Sequence, residues 1–282
     1  MPLLCIFLSR LIHQAEGVLI KKYNQKYSAG GFLFTAIVSL FSMVFCLVTD
    51  QNGLEVTDKL LLYGVLGGVG YSAASYLTYV ALGCGSFVLS RLILSYGLLI
   101  TILHGLFLGE TVTVFGWIGI ALVICSLYFV KGEEKGDHIK VTKKWVISIS
   151  LSVLFAGLYG IMQRQQQVEF SGQYDNEFMV ISLAVSAVSL FVLGLIKEGK
   201  DLQVLKSCGL YALGAGVSNG ATNLLSLYVY TIAPMSFVAP MNAGVSMLIS
   251  FLISKLIFRE KFSKSQYFGV ILGVVALLLV NI

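Results

Sequence analysis

Charge is what this sequence has least of. Only 12% of its 282 residues are Asp, Glu, Lys or Arg, against about a quarter in an ordinary soluble domain. With 57% of residues apolar and a mean hydropathy of +0.88, the chain cannot assemble a polar shell large enough to keep it in water. That excludes a soluble enzyme, a nucleic-acid binder and a disordered tail together. The five cysteines (Cys5, Cys46, Cys84, Cys125 and Cys208) are odd in number, scattered, and without a CxxC pair, so neither a disulfide framework nor a zinc site is signalled. There are three histidines and no HExxH spacing, which argues against a metalloenzyme. No Walker A motif is present either, so any transport must draw on a gradient rather than ATP. The first apolar run has no basic n-region and no cleavage site, and so does not read as a secretory signal. What remains is an integral membrane protein.

An apolar helix of about 18–22 residues crosses the hydrocarbon core, and in lipid only helices or closed barrels satisfy the backbone. The apolar runs here are continuous rather than alternating, which predicts helices. Ten are expected, over roughly 3–20, 32–48, 60–81, 86–107, 114–130, 146–163, 178–196, 209–230, 234–257 and 266–282. The joins are short and punctuated by Gly, Asp, Asn or Ser. The longest, residues 131–145, mixes five lysines with three acids.

Lysine and arginine fall on one side of these spans. The odd-numbered loops hold 15 of them and the even-numbered loops only Lys59 and Arg164, with Arg10 and Arg91 left inside spans. By the positive-inside rule the odd loops are cytoplasmic and both termini external. The net charge of +5 is therefore a topology signal and not a nucleic-acid patch.

The chain also matches itself. At an offset of 150, Gly64 falls on Gly214, Gly70 on Gly220, Ser86-Phe-Val88 on Ser236-Phe-Val238, and Glu110 on Glu260. The first spans match at an offset of 143, which sets Gly17 on Gly160 and Lys21 on Arg164. Five spans per repeat is an odd number, so the second copy must lie upside down relative to the first. The expected fold class is an all-α integral membrane protein of ten transmembrane helices in two inverted five-helix repeats, residues 1–131 and 146–282, joined by a cytoplasmic connector at 132–145. Such symmetry is the architecture of alternating access, with the solute site near the midplane between the halves.

The stretch from Leu108-Gly-Glu110 to Gly119, its counterpart from Phe258-Arg-Glu260 to Gly269, and Ser236-Phe-Val-Ala-Pro-Met-Asn-Ala-Gly244 resemble EamA-like transporters of the drug/metabolite transporter superfamily. The resemblance implies a ten-helix carrier for a small organic solute. Ser90 stands where such repeats commonly have the proline that Pro240 keeps in the second half. Family members are often drawn with cytoplasmic termini, whereas the charge count here sets them outside. Small four-helix relatives carry a functional glutamate in their first helix, where Glu16 is similar in type and place.

Charged groups at membrane depth cost several kcal/mol on insertion scales and usually face a cavity or a partner. In the first span Arg10, His13, Gln14, Gly17 and Lys21 share one face, with Glu16 beside His13. Arg91 in the fourth span has no acid adjacent in sequence, and Met241 is its repeat counterpart, so the symmetry breaks there. His104 suits a structural hydrogen bond. Asn219 and Asn223 lie one turn apart in the eighth span, and Asn242 follows Pro240 in the ninth. Tyr71, Tyr96 and Tyr159 are candidate walls for a planar or cationic solute. Residues 163–167 read as an outer mouth, and Glu110 and Glu260 as caps at helix N-termini.

The predicted binding set is His13, Glu16, Tyr71, Arg91, Tyr159, Asn219, Asn223 and Asn242, with no catalytic, cofactor or metal residue. The function expected is a secondary transporter of a small polar metabolite, since arginine suits a carboxylate or phosphate, glutamate with tyrosines suits an amine, and both together suit a zwitterion such as an amino acid. An exporter of cationic or drug-like amines is the alternative; a membrane scaffold or an intramembrane enzyme is remote. Partners are the solute, the bilayer and, as an open question, a coupled proton; no nucleic acid is expected, and monomer and homodimer are both open. The expected location is the cytoplasmic membrane, as a multi-pass protein. A reporter fused after Ile282 is expected to read as external, and a cysteine near Lys140 to be labelled only from the cytoplasm. The opposite pattern would invert the topology.

Overall fold

The computed structural model describes residues 2–27, 30–50, 53–97, 99–100, 103–104, 113–131, 141–171, 173–199, 202–232 and 235–280. Among them stand ten helices: α1 (Pro2–Tyr27), α2 (Gly31–Thr49), α3 (Asp58–Cys84), α4 (Phe87–Ser95), α5 (Val114–Lys131), α6 (Lys143–Glu169), α7 (Asp175–Lys197), α8 (Leu202–Ile232), α9 (Met235–Leu256) and α10 (Lys264–Val280). Each falls on one of the expected runs. Five stretches, Leu3–Tyr27, Gly31–Thr49, Asp58–Cys84, Lys143–Glu169 and Asp175–Lys197, are long and apolar enough to cross a membrane.

Side-chain caps start several of these helices. The hydroxyls of Thr57, Ser86 and Thr142 accept from the backbone N–H of Leu60, Leu89 and Trp145, which satisfies donors that no helical carbonyl can reach. The fourth run, expected as one helix, breaks at Tyr96, whose N–H turns back to the carbonyls of Ile93 and Leu94. Helical residues resume at Gly97 and are seen as far as His104. At this break the Tyr96 hydroxyl lies 2.6 Å from Ser126 Oγ on α5, while Gly97 lies against the Val153 carbonyl of α6.

The distribution of polarity is inside out relative to a soluble domain. Leu210 is 84% exposed and Val48 78%, whereas Gln14, Glu16 and Lys21 are buried. A bilayer explains this pattern, because outward apolar side chains cost nothing in hydrocarbon and polar groups pair with each other inside. Hydroxyl pairs join the helices: Ser39 with Ser186 and Ser72 with Ser189, both at 2.9 Å, and Thr78 with Ser152 at 2.8 Å.

Packing is largely between the two halves. α3 lies on α6 and α7, α8 on α1 and α2, α4 on α6, and α9 on α1, while α2 meets α7 and α5 meets α10. Exchanging the halves maps these pairs onto one another. Helix-end contacts also join the halves. The Glu198 carboxylate after α7 accepts from Phe32 and Leu33 N–H at 2.8 and 3.1 Å, capping α2. Its counterpart at an offset of 143 is Glu55, which accepts from the Tyr174 hydroxyl at the start of α7.

Two glycines set the closest crossings. A Cβ on Gly68 would lie 2.8 Å from the Ser182 carbonyl of α7, and one on Gly216 would lie 2.8 Å from the Val38 carbonyl of α2. Backbone cannot yield as a flexible side chain can, so even one methyl overpacks these sites. Gly68→Ala and Gly216→Ala are each expected to lower thermal stability in detergent, costing about 1–3 kcal/mol. Gly209→Ala, with nothing within 4 Å of the added atom, should be neutral or slightly stabilising, since alanine favours helix. Equal melting temperatures for all three would contradict the close-approach reading.

Candidate solute site

His13 and Glu16 lie three residues apart on α1, so both point the same way into the bundle. The His13 Nδ1 is 3.5 Å from a Glu16 carboxylate oxygen, and its Nε2 is 3.4 Å from an Arg91 terminal nitrogen. Arginine has no lone pair to offer. The geometry therefore fits an imidazole that accepts at Nε2, while the Glu16 oxygen facing its Nδ1 has no hydrogen-bond partner among the described residues. A second Arg91 nitrogen donates to the His13 carbonyl at 3.3 Å, and the guanidinium lies 5.6 Å from the Phe87 ring centroid. Asn219 of α8 donates to the other Glu16 oxygen at 3.2 Å, and its own carbonyl oxygen accepts from Asn223 at 3.3 Å, with the Ser42 hydroxyl at 2.8 Å. One continuous polar chain thus joins α4, α1, α8 and α2 across the two halves.

A cavity of about 250 Å³ opens onto this chain. His13, Glu16, Arg91 and Asn219 line it, together with Tyr71 and Tyr159, whose rings meet edge to face with centroids 5.3 Å apart. Six of the eight expected site residues therefore share one space. Asn223 lies one bond behind, through Asn219. Asn242, half-buried on α9, is not among the lining residues of this cavity. His104 is half-buried as well, and its Nδ1 has no partner among the described residues; the hydrogen bond expected of it is not seen there. Arg10 donates to Ser9 Oγ at 3.0 Å. A second cavity of about 140 Å³ lies beyond His13 and Arg91 and is lined also by Gln14, Ser95, Ser246 and Ser250, so the His13–Arg91 pair stands between two polar spaces.

Sequence reasoning missed several contributors. The hydroxyls of Thr35, Ser39, Ser75 and Thr78 line the main cavity. The recurrence of Ser72, Ser75 and Thr78 at three-residue intervals along α3 was the readable signal. Gly17 proves to be the seat of Arg91: a Cβ there would overlap the guanidinium, at 1.9 Å from its nearest nitrogen. The letters Gly216-Val-Ser-Asn-Gly220 also spell a GxSxG elbow, but they lie inside the continuous helix α8. A nucleophile elbow needs a sharp strand-to-helix turn, so no nucleophile follows from them.

One end of the site is sealed. Ile20 lines the cavity, and the next residue, Lys21, is 4% exposed. Its ammonium lies 2.6 Å from Glu260 Oε1 and 2.8 Å from the Gly85 carbonyl, and 4.6 Å over the Phe258 ring. Glu260 was expected to cap a helix, and it caps one in the other half: its carboxylate accepts from Phe87 N–H at 2.7 Å and from Ser86 Oγ at 2.8 Å, at the start of α4. Ser254 donates to it as well. Around this network Tyr23 stacks on Phe34 with centroids 4.1 Å apart, and Tyr79 and Phe87 complete a buried aromatic layer. At the opposite end the Lys59–Glu169 pair is exposed, whereas Leu60, Gln166 and Phe178 are buried.

Comparisons with known proteins bear on the fold and the family. No curated protein sequence matches the chain. A solved structure described only as "Crystal structure of protein" aligns over 97% of this chain and 94% of its own, with a TM-score of 0.64 at 13% identity; at that identity it speaks for the fold alone. Residues 143–282, which comprise α6 to α10, match the model of the EamA-like transporter family. This stretch belongs to the EamA-like transporter family of membrane proteins.

Proposed function

We propose that this protein is a secondary carrier for a small polar metabolite bearing both an amine and a carboxylate, such as an amino acid, and that it works by alternating access in the cytoplasmic membrane. Residues 1–131 and 146–282 act as two inverted five-helix repeats, with residues 132–145 as a cytoplasmic connector. The exchange symmetry of these helix pairs supports this arrangement. The observation that carries the reading is that Arg91 and Glu16, of opposite charge, line one cavity built from both halves. A zwitterion satisfies the two at once. Its carboxylate takes the Arg91 donors now spent on His13, while its ammonium approaches Glu16 between Tyr71 and Tyr159, whose rings add cation–π attraction.

Those tyrosines also favour the second reading, an exporter of organic amines, in which Glu16 alone holds the charge. The two differ in what Arg91 does.

The buried Lys21–Glu260 network closes the mouth formed by the odd-numbered loops, which charge counting assigns to the cytoplasm. Solute then enters from the even-loop side, and passage requires the network to part.

Arg91→Met copies its repeat counterpart and removes a buried charge, so the fold should survive. Amino-acid binding, read by thermal shift of the purified protein against an amino-acid panel, should weaken about tenfold or more, since a hydrogen bond to a charged group contributes roughly 1.5–3 kcal/mol. Gly17→Ala should do the same without touching a charge, because the methyl displaces the guanidinium while leaving it present. Glu16→Gln should abolish the shift by amino acids and by amines alike. Under the amine reading, Arg91→Met and Gly17→Ala would leave binding intact. If none of the three variants changed binding, the site would lie elsewhere.

A further inference from the structure

A larger space beside the candidate solute site is not polar. A crevice of about 620 Å³ runs between α4, α5 and α6, lined by Ile93, Tyr96, Ile100, Ile124, Ile149 and Val153 among others. Among the described lining residues, Ser150 and the polar ends of Tyr96 and Trp145 are the polar side-chain groups, and the Tyr96 hydroxyl and Trp145 Nε1 are already bonded to Ser126 and Ser90. An apolar space of this kind does not hold water, and it offers no charge to the solute that Arg91 and Glu16 would take. Ile124 is 66% exposed and Val146 43%, so the crevice opens sideways onto the surface that a bilayer covers.

One end of the crevice is basic. Val141 and Trp145 line it there, and Lys143 and Lys144 between them are exposed. The segment 131–145 carries five lysines against three acids. Such a juxtamembrane excess attracts anionic headgroups, each lysine contributing about 1 kcal/mol near a charged surface.

We propose that this crevice is a binding site for an anionic phospholipid, with one acyl chain laid between α4, α5 and α6 and the phosphate held at Lys143. The length of the crevice along apolar residues of α6, from Val146 to Val153, suits an alkyl chain. The charge at its end selects the headgroup. Trp145 connects the site to the sealed mouth. Its indole is 4% exposed, donates to Ser90 Oγ at 2.8 Å, and fills the place a Cβ on Gly85 would occupy. Gly85 is the residue whose carbonyl accepts from Lys21, so an occupied crevice braces the start of α4 against which Glu260 closes.

Trp145 is also the reporter. In a Trp117→Phe background it is the one tryptophan left, and bromine on an acyl chain quenches indole fluorescence at contact. Reconstituted in vesicles with acyl-brominated phosphatidylglycerol, the protein should be quenched at about one fifth of the lipid fraction that brominated phosphatidylcholine requires, the ratio expected from one lysine at an anionic surface. Lys143→Gln, an exposed change that leaves the fold alone, should remove that preference. Val153→Phe, which fills the crevice, should reduce quenching by both lipids. Equal quenching by the two lipids, or a preference that Lys143→Gln does not alter, would overturn the anionic site. Quenching that Val153→Phe leaves unchanged in a normally folded protein would show that the chain lies outside the crevice.

Discussion

The arrangement turns on the Glu260 carboxylate. It is buried among groups from both halves and accepts from Lys21, Ser86, Phe87 N–H and Ser254. A charge in such a place must be fully paired, because leaving one partner of a buried pair alone costs about 3–5 kcal/mol. That requirement brings the end of α1, the α3–α4 junction and the α9–α10 loop to one point. The aromatic layer of Tyr23, Phe34 and Tyr79 closes around it, and the cavity ends one residue short of it, at Ile20. Yet a buried ion pair is weak as net stabilisation against an apolar replacement. It is better suited to a contact that must form completely and part completely than to one that merely holds the fold.

The solute site obeys the same rule with a different outcome. Glu16, His13 and Arg91 are paired, but through contacts of 3.3–3.5 Å, longer than good charge-assisted hydrogen bonds. Groups held this loosely can exchange partners for a ligand at little cost. In the proposed carrier the tight network seals and the loose one binds, and Gly17 sits between them on the same face of α1, making room for the guanidinium.

Much of this was legible beforehand. The helices could be read because each apolar run must be long enough to span hydrocarbon, and His13, Glu16, Arg91, Tyr71, Tyr159 and Asn219 could be read because polar groups at that depth need a reason. Partners could not be read. Lys21 and Glu260 are 239 positions apart, and nothing local says that a loop glutamate caps α4 rather than the helix it precedes. The break at Tyr96 has only Gly97 beside it as a local signal and no proline, and the Tyr96 hydroxyl bonds Ser126 in another helix. Gly17 looked like one more small residue on a polar face until the arginine resting on it was seen. Asn242 has only a proline neighbour as a local cue, and it is not among the residues lining the cavity. The apolar crevice had no signature in sequence, since it is a space between helices rather than a property of any one of them.

The most direct test asks from which side the cavity can be reached. Ser75 lines it, so Ser75→Cys in a background without the five native cysteines gives a thiol inside the site. A membrane-impermeant thiol reagent applied to oriented vesicles should label it from the even-loop side and not from the odd-loop side. Adding Glu260→Gln, which keeps the shape of the carboxylate but removes its charge, should open labelling from the odd-loop side. If the thiol is labelled from the odd-loop side with Glu260 intact, or if Glu260→Gln changes nothing, the buried network is not the seal.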